Sequence, residues 1–268
     1  MLNYFYMQVL QGIEKEAASH GYRIMTTISN ESYQKEVEII DMLSTGSIDG
    51  FLLAISKETE ENGEFSHFTD SVKFGFPIVM FDRVSEHVEC DKIITDDLNA
   101  SADAVSYLVK QGCKRIAFVS PLKSLSIGRL RFEGYKKGLE QNNLPLDPNL
   151  VINTNEPDYK QYDAMIRPLY EHKIEGIIST NESSALSAMK LAKEDGYKIP
   201  EDLAVISFAN GILARNSHPR LTCVSQHGEI MGAVAAKKLI DKLEKRDDAK
   251  SFATEFIETD IVVRDSTR

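Results

Sequence analysis

Polar side chains stand directly behind several short apolar runs of this chain, and their chemistry is that of a small-molecule binding site. Phe51 to Ile55 runs into Ser56 and Lys57, Ile78 to Phe81 into Asp82 and Arg83, Ile177 and Ile178 into Ser179, Thr180 and Asn181, and Ala204 to Phe208 towards Asn210. Hydroxyls, a carboxylate, a guanidinium and amides offer a polar ligand both donors and acceptors. Signatures of bond-breaking chemistry are missing: the sequence has no G-x-S-x-G elbow, no H-E-x-x-H, no phosphate loop and no G-x-G-x-x-G. Of the six histidines, His218 and His227 come nearest to interest, yet neither has partners at metal-ligand spacing. Asp82 and Asp96 form the one imaginable carboxylate pair for glycoside hydrolysis, and nothing else in the sequence supports it. A binding protein without catalysis, metal or cofactor is the expectation.

The elements that must position these residues are buried strands. Runs of four or five residues rich in Ile, Val and Phe, separated by amphipathic segments of helical length, belong to a parallel sheet covered on both faces. In such sheets ligands bind beyond the carboxyl ends of the strands, where the polar residues fall. The pattern begins with a helix over 4–19, whose Val9, Ile13 and Ala17 share a face, ended by His20 and Gly21. A strand over 23–28 follows, then a helix over 33–44 with Val37, Ile40 and Leu43 inward, then the strand at Phe51. A helix over 98–111 carries Ala102, Val105 and Val109 on one stripe and stops at Gly112, and a strand over 116–119 comes next. The echo between Ser47-Ile48-Asp49-Gly50-Phe51-Leu52-Leu53 and Lys173-Ile174-Glu175-Gly176-Ile177-Ile178-Ser179 suggests two similar lobes. The predicted fold is α/β, with two doubly wound parallel-sheet lobes joined by several crossovers and a ligand cleft between them.

Composition narrows the function further. With 31 Lys plus Arg against 41 Asp plus Glu, the net charge of -10 repels a phosphate backbone, so nucleic acid is not an unaided partner. Cys90, Cys113 and Cys223 are far apart and lack a C-x-x-C, which suits reduced thiols. The sequence has no apolar run of membrane-spanning length and no basic-then-apolar leader, so the cytoplasm is expected and a membrane partner is not. The glutamates between Glu58 and Glu64 read as a solvated loop.

Ordered motifs along nearly the whole chain resemble the LacI/GalR family of bacterial transcriptional regulators. They are Asn3-Tyr4-Phe5 opening a helix that ends in His20-Gly21-Tyr22, Ile48-Asp49-Gly50-Phe51, Pro77 to Arg83, Gly112 to Phe118, Arg129-Leu130-Arg131-Phe132-Glu133-Gly134-Tyr135, Ile199 to Phe208, Pro219-Arg220-Leu221-Thr222 and Val263 to Thr267. The resemblance implies the effector-binding core, of the type seen in periplasmic sugar-binding proteins, with an amino-terminal lobe of 1–112 plus 227–252 and a carboxyl-terminal lobe of 113–226 plus 253–268. Family members carry a helix-turn-helix module, a hinge helix and a first core strand before the Asn-x-Phe region; this sequence starts after all three, so Met1-Leu2-Asn3 reads as an internal point of a longer protein.

The resemblance also implies roles. Asn3, Tyr4 and Phe5 flank the effector or, equally, cap and staple the helix start. Arg131 reaches into the cleft, where its planar guanidinium suits paired hydroxyls or a carboxylate, while Arg129 points elsewhere. Asn181 contacts the effector from the second lobe or caps the next helix. Much of the family has an aspartate directly after Phe208; here Ala209 stands there, and Asn210 is the nearest substitute. Asp82 and Arg83 line the cleft or pair with each other, Asp96 and Asn99 lie near the lobe junction, and Gln226 touches ligand or braces a crossover. The implied protein is a homodimeric sensor of a sugar or similar polar metabolite, contacting DNA only through its helix-turn-helix domain; a transporter's solute-binding protein is the alternative.

Overall fold

The computed structural model of the chain describes residues 4–46, 48–155, 159–244 and 252–268. Its elements run α1 Tyr4–Ser19, α2 Tyr33–Leu43, β1 Phe51–Leu53, α3 Lys57–Asn62, α4 Ser66–Lys73, β2 Ile78–Phe81, β3 Asp91–Thr95, α5 Asp97–Lys110, β4 Ile116–Ser120, α6 Ser126–Gln141, β5 Val151–Asn153, α7 Tyr162–Ile166, β6 Gly176–Ser179, α8 Glu182–Glu194, β7 Ala204–Phe208, α9 Ile212–Asn216, β8 Thr222–Ser225, α10 Gly228–Leu243, β9 Thr254–Ile257 and β10 Asp260–Val262. They form two compact units, one of residues 1–95 and 227–258 and the other of residues 96–226 and 259–268. The chain therefore passes between units after Thr95, Gln226 and Glu258.

In the first unit a parallel sheet has the order β1-β2-β3-β9, with Leu52 beside Val79, Val79 beside Asp91 and Ile94 beside Phe256. Alternate residues of one strand serve two cores. Val79 and Phe81 pack with Phe5, Val9 and Ile13 of α1 and Met231, Ala235 and Leu239 of α10; Ile78 and Met80 pack with Ile40 and Leu43 of α2 and Phe68 of α4. All four residues of β2 are buried, which is why the strand is one continuous apolar run. The second unit repeats the plan in the order β10-β8-β7-β6-β4-β5, parallel apart from the antiparallel edge strand β10. Ala117, Val119, Ile177 and Val205 face the α8 layer, whereas Ile116, Phe118, Ile178 and Ile206 face α5 and α6. All three cysteines are free and buried, and burial pushes each thiol up to about 11.

Three expectations need correction. Residues 23–28 form no strand; they are exposed, because no described strand lies beside them to complete a ladder. The boundary of the first unit lies at 95 rather than 112: α5 belongs to the second unit, where it packs on α6 through Gly134 and Gly138. Finally, β9 belongs to the first unit, since it pairs with β3 over Lys92–Thr95. Gly112 ends the α5 turn with φ +96°, as its position predicts.

Candidate functional site

At the carboxyl end of β2, Asp82 takes a left-handed backbone conformation (φ +58°), uncommon for a residue with a Cβ. Its carboxylate accepts a 2.6 Å hydrogen bond from the Tyr6 hydroxyl. The same hydroxyl accepts 3.1 Å from Arg83 Nε, and the other two guanidinium nitrogens donate to both oxygens of Glu31 at 2.7 and 2.9 Å. Asp82 and Arg83 are thus joined through Tyr6, with Arg83 also lying over the Tyr6 ring. Burial first, then the charge of Asp82, pushes the Tyr6 hydroxyl well above its usual pKa, so it stays a donor. Tyr6 lies one place beyond the pair singled out in the sequence, and its signal was the Tyr-Phe-Tyr run itself. Phe5 is buried in the core with Val9, Tyr4 is half-buried, and Asn3 lies outside the described residues.

Ser56 and Lys57 are used locally. Ser56 caps α3, and Glu36 takes its amide at 2.8 Å and also accepts from Thr59 in a buried cluster beside His67. Burial pushes the Glu31 carboxyl up, but the hydrogen bonds and charge of Arg83, with the Lys57 amide, outweigh it and hold the carboxyl below its usual range. A depressed carboxyl contributes stability above the unfolded-state pKa of about 4.3, and that contribution disappears as the pH falls through the lower folded value. Glu31→Gln is therefore expected to flatten the acid limb of the stability profile below about pH 4.5 and leave the slope near neutrality unchanged. Urea midpoints across that range check this; identical acid limbs would contradict it.

In the second unit the carboxyl ends of β4, β6 and β7 gather Ser120, Thr180, Asn181 and Asn210. Arg131, from α6, is buried: Nε donates to Asp97 at 2.7 Å, one terminal nitrogen donates to the Thr180 carbonyl at 3.2 Å, and the guanidinium carbon sits 4.2 Å from the centre of the Phe208 ring. Asp97 was not singled out in the sequence, being 34 residues from its partner. Arg129 donates to the Ser124 carbonyl. Asn181 caps α8, its Oδ1 accepting 2.8 Å from the Ser184 amide, while its Nδ2 donates to the Tyr162 hydroxyl at 3.3 Å. Ala209 has φ +75°, a conformation strained for alanine. Next to it Asn210 Oδ1 accepts from Arg264. Glu182 closes this edge, accepting from the amides of Gly211 at 2.7 Å and Ala214 at 3.0 Å; burial pushes its carboxyl up despite those bonds. Gln226 is buried at the end of its segment. Asp96 and Asn99 bond each other at the start of α5, with Lys137 donating to Asn99. Among the described residues no group of three His, Cys, Asp or Glu side chains could hold a metal ion, and no helix is long and apolar enough to cross a membrane.

A family model for the periplasmic binding protein-like domain matches residues 105–267. The chain belongs to that family. It is also homologous to LacI-family transcriptional repressors over almost its whole length. It is 28% identical over 267 residues to the HTH-type transcriptional repressor CytR of Escherichia coli strain K12, covering 98% of this chain and 76% of the relative. To catabolite control protein A of Priestia megaterium it is 28% identical, covering 91% and 72%. Among solved structures, the transcription regulator CcpA of Lactococcus lactis matches with a TM-score of 0.87 at 22% identity, over 99% of this chain and 95% of that one. A LacI family transcriptional regulator from Enterococcus faecium with bound ribose matches at 0.84 and 23%, over 99% and 93%. These structures carry the fold expectation, two α/β units of parallel sheet, while the relatives are regulators rather than enzymes or transporters.

Proposed function

We propose that this chain is the effector-sensing part of a LacI-type regulator, that it acts by binding rather than turnover, and that its effector is a sugar or a related polar metabolite. The observation that carries this reading is the polar carboxyl edge on each sheet, Tyr6-Asp82-Arg83 in one unit and Ser120-Thr180-Asn181-Asn210 in the other, in a chain homologous to repressors over 98% of its length. Ribose and cellobiose complexes among the similar structures support a carbohydrate. A ligand bound at such an edge shifts populations only among the states it distinguishes, and a DNA-binding domain joined to this chain would read that shift, with a coupling of about 1 to 3 kcal/mol. This reading includes a cytoplasmic location and a homodimer, both by analogy with such regulators.

A thermal-shift screen against ribose, cellobiose, sugar phosphates, sugar acids and nucleobases tests this. A ligand at a hundred times its Kd adds about 2.7 kcal/mol, a rise of several degrees. We expect a selective shift that Asp82→Asn and Asn210→Ala each abolish while keeping a cooperative melt. A cooperatively melting protein that responds to none of these classes overturns the sugar-sensor reading.

A further inference from the structure

At the carboxyl edge of the second unit the hydrogen-bond acceptors are already in use. The Thr180 carbonyl takes Arg131 at 3.2 Å, and the Asn181 carbonyl takes the Ser179 hydroxyl at 3.0 Å. The Asn181 side-chain oxygen accepts the Ser184 amide at 2.8 Å, and the Asn210 side-chain oxygen accepts Arg264. Even the Asn210 main-chain carbonyl takes Arg215, at 3.4 Å. Ala209 adds no polar side-chain atom. Of the carboxylates, Asp97 is paired with Arg131, and Glu182 is buried with one oxygen on the amides of Gly211 and Ala214.

The donors are a different matter. A backbone N–H and a guanidinium can only donate, so each must meet the oxygen of the asparagine it touches, and that fixes which way both amides are turned. Asn181 spends one hydrogen of its NH2 group on the Tyr162 hydroxyl at 3.3 Å and keeps the other. Asn210 keeps both: among the described residues its nitrogen makes no bond, and that nitrogen is not enclosed, since the residue is only half-buried.

We infer that the second unit meets its effector with donors alone, and that the group the effector places there is an oxyanion, a carboxylate or a phosphate. The inference rests on the effector-sensing reading above and narrows it. A sugar hydroxyl can accept from either asparagine, but its own hydrogen then finds no spare acceptor at this edge, and an unpaired donor weakens binding by about tenfold or more. An oxyanion has no hydrogen to place. Charge favours the same choice. Arg264 draws on the Asn210 oxygen and so makes the outward hydrogens of that amide stronger donors. The other bonds of Arg264 go to the Leu221 carbonyl and the Cys223 sulfur, so no contacting carboxylate cancels its charge.

Calorimetric titration of this chain with glucose, glucuronate and glucose 6-phosphate, and with ribose and ribose 5-phosphate, tests the inference, because the members of each set differ at one carbon. We expect an oxyanion-bearing member to bind at least about tenfold tighter than its neutral parent sugar, and the preferred member separates carboxylate from phosphate. Asn210→Asp and Asn181→Asp each keep the inward oxygen, on Arg264 and on the Ser184 amide, and turn the outward group from a donor into a negatively charged acceptor. Each variant should melt cooperatively and bind the oxyanion about 100-fold more weakly, and Asn210→Asp should come to prefer the neutral sugar. Equal or tighter binding of the neutral sugar by the parent overturns the oxyanion assignment and leaves the sugar-sensor reading standing. Oxyanion binding as tight in either variant as in the parent overturns it too. A cooperatively melting parent that binds no member of either set removes the sensor reading itself, and this inference with it.

Discussion

Arg131→Met lowers the stability of the second unit by about 3–5 kcal/mol, the cost of removing one member of a buried ion pair and leaving the other charged. Asp97 is held 2.7 Å from Arg131 Nε, both side chains are about 4% exposed, and the guanidinium lies on the Phe208 ring. Methionine keeps much of the apolar stem, so the loss is electrostatic rather than a cavity. If so, Arg131→Met with Asp97→Asn recovers most of the loss, since an amide tolerates burial far better than a lone carboxylate. Arg129→Ala, one turn-fraction away and bonded to the Ser124 carbonyl, stays within about 0.5 kcal/mol of the parent. Urea unfolding of the four proteins decides the matter. Equal midpoints for Arg131→Met and Arg129→Ala would mean that the buried pair contributes nothing. Arg131 also holds the Thr180 carbonyl, immediately before Asn181, so its loss displaces one polar edge even if it never meets an effector.

The way Arg131 appears in the sequence shows which parts of the fold are legible there. Strands enclosed on both faces, Ile78–Phe81 and, apart from Ser207, Ala204–Phe208, are apolar runs because every residue is buried, and the chain writes that directly. Residues 23–28, Arg-Ile-Met-Thr-Thr-Ile, include strand-forming Ile and Thr, yet a strand exists only with a neighbour, and no property of the segment says whether one is present. The stripe on α5 shows that the helix has a partner without showing which, so a boundary read from the sequence falls seventeen residues late, at 112 instead of 95. At the candidate site, Asp82, Arg83 and Asn181 are local to strand ends, which is why the sequence singles them out. Tyr6 and Asp97 are defined by partners 76 and 34 residues away, a distance at which spacing is silent. Asn181 reads equally as a cap or a contact, and its carbonyl oxygen caps α8 while its amide bonds Tyr162.

Gly12→Ala should destabilise the first unit, for a reason the sequence does not display. In an exposed helix this change is worth about 0.5–1 kcal/mol of added stability, because alanine restricts the unfolded chain and favours the helix. At Gly12, however, an added methyl would fall well inside contact distance of the Glu229 carbonyl on α10, and one at Gly232 would meet the Val9 carbonyl on α1 in the same way. The two helices approach backbone to backbone, each glycine receiving a carbonyl of the other, and a carbonyl fixed in a helix cannot step aside as a flexible side-chain tip can. Overpacking of this kind costs about 1–3 kcal/mol or more, since α1 must move away from α10 and disturb Val9, Ile13, Met231 and Ala235 in the core beneath. The clash therefore outweighs the propensity gain. The second unit uses the same device where Gly134 receives the Leu98 carbonyl of α5, which extends the expectation to Gly134→Ala. Gln11→Ala, exposed on the other side of α1, supplies the contrast: it lacks the clash and, with glutamine ranking only a little below alanine as a helix former, adds a few tenths of a kcal/mol at most. Thermal and urea melts should order the variants Gln11→Ala, parent, Gly12→Ala in falling stability, and a Gly12→Ala protein as stable as Gln11→Ala would show that α1 and α10 can separate without cost.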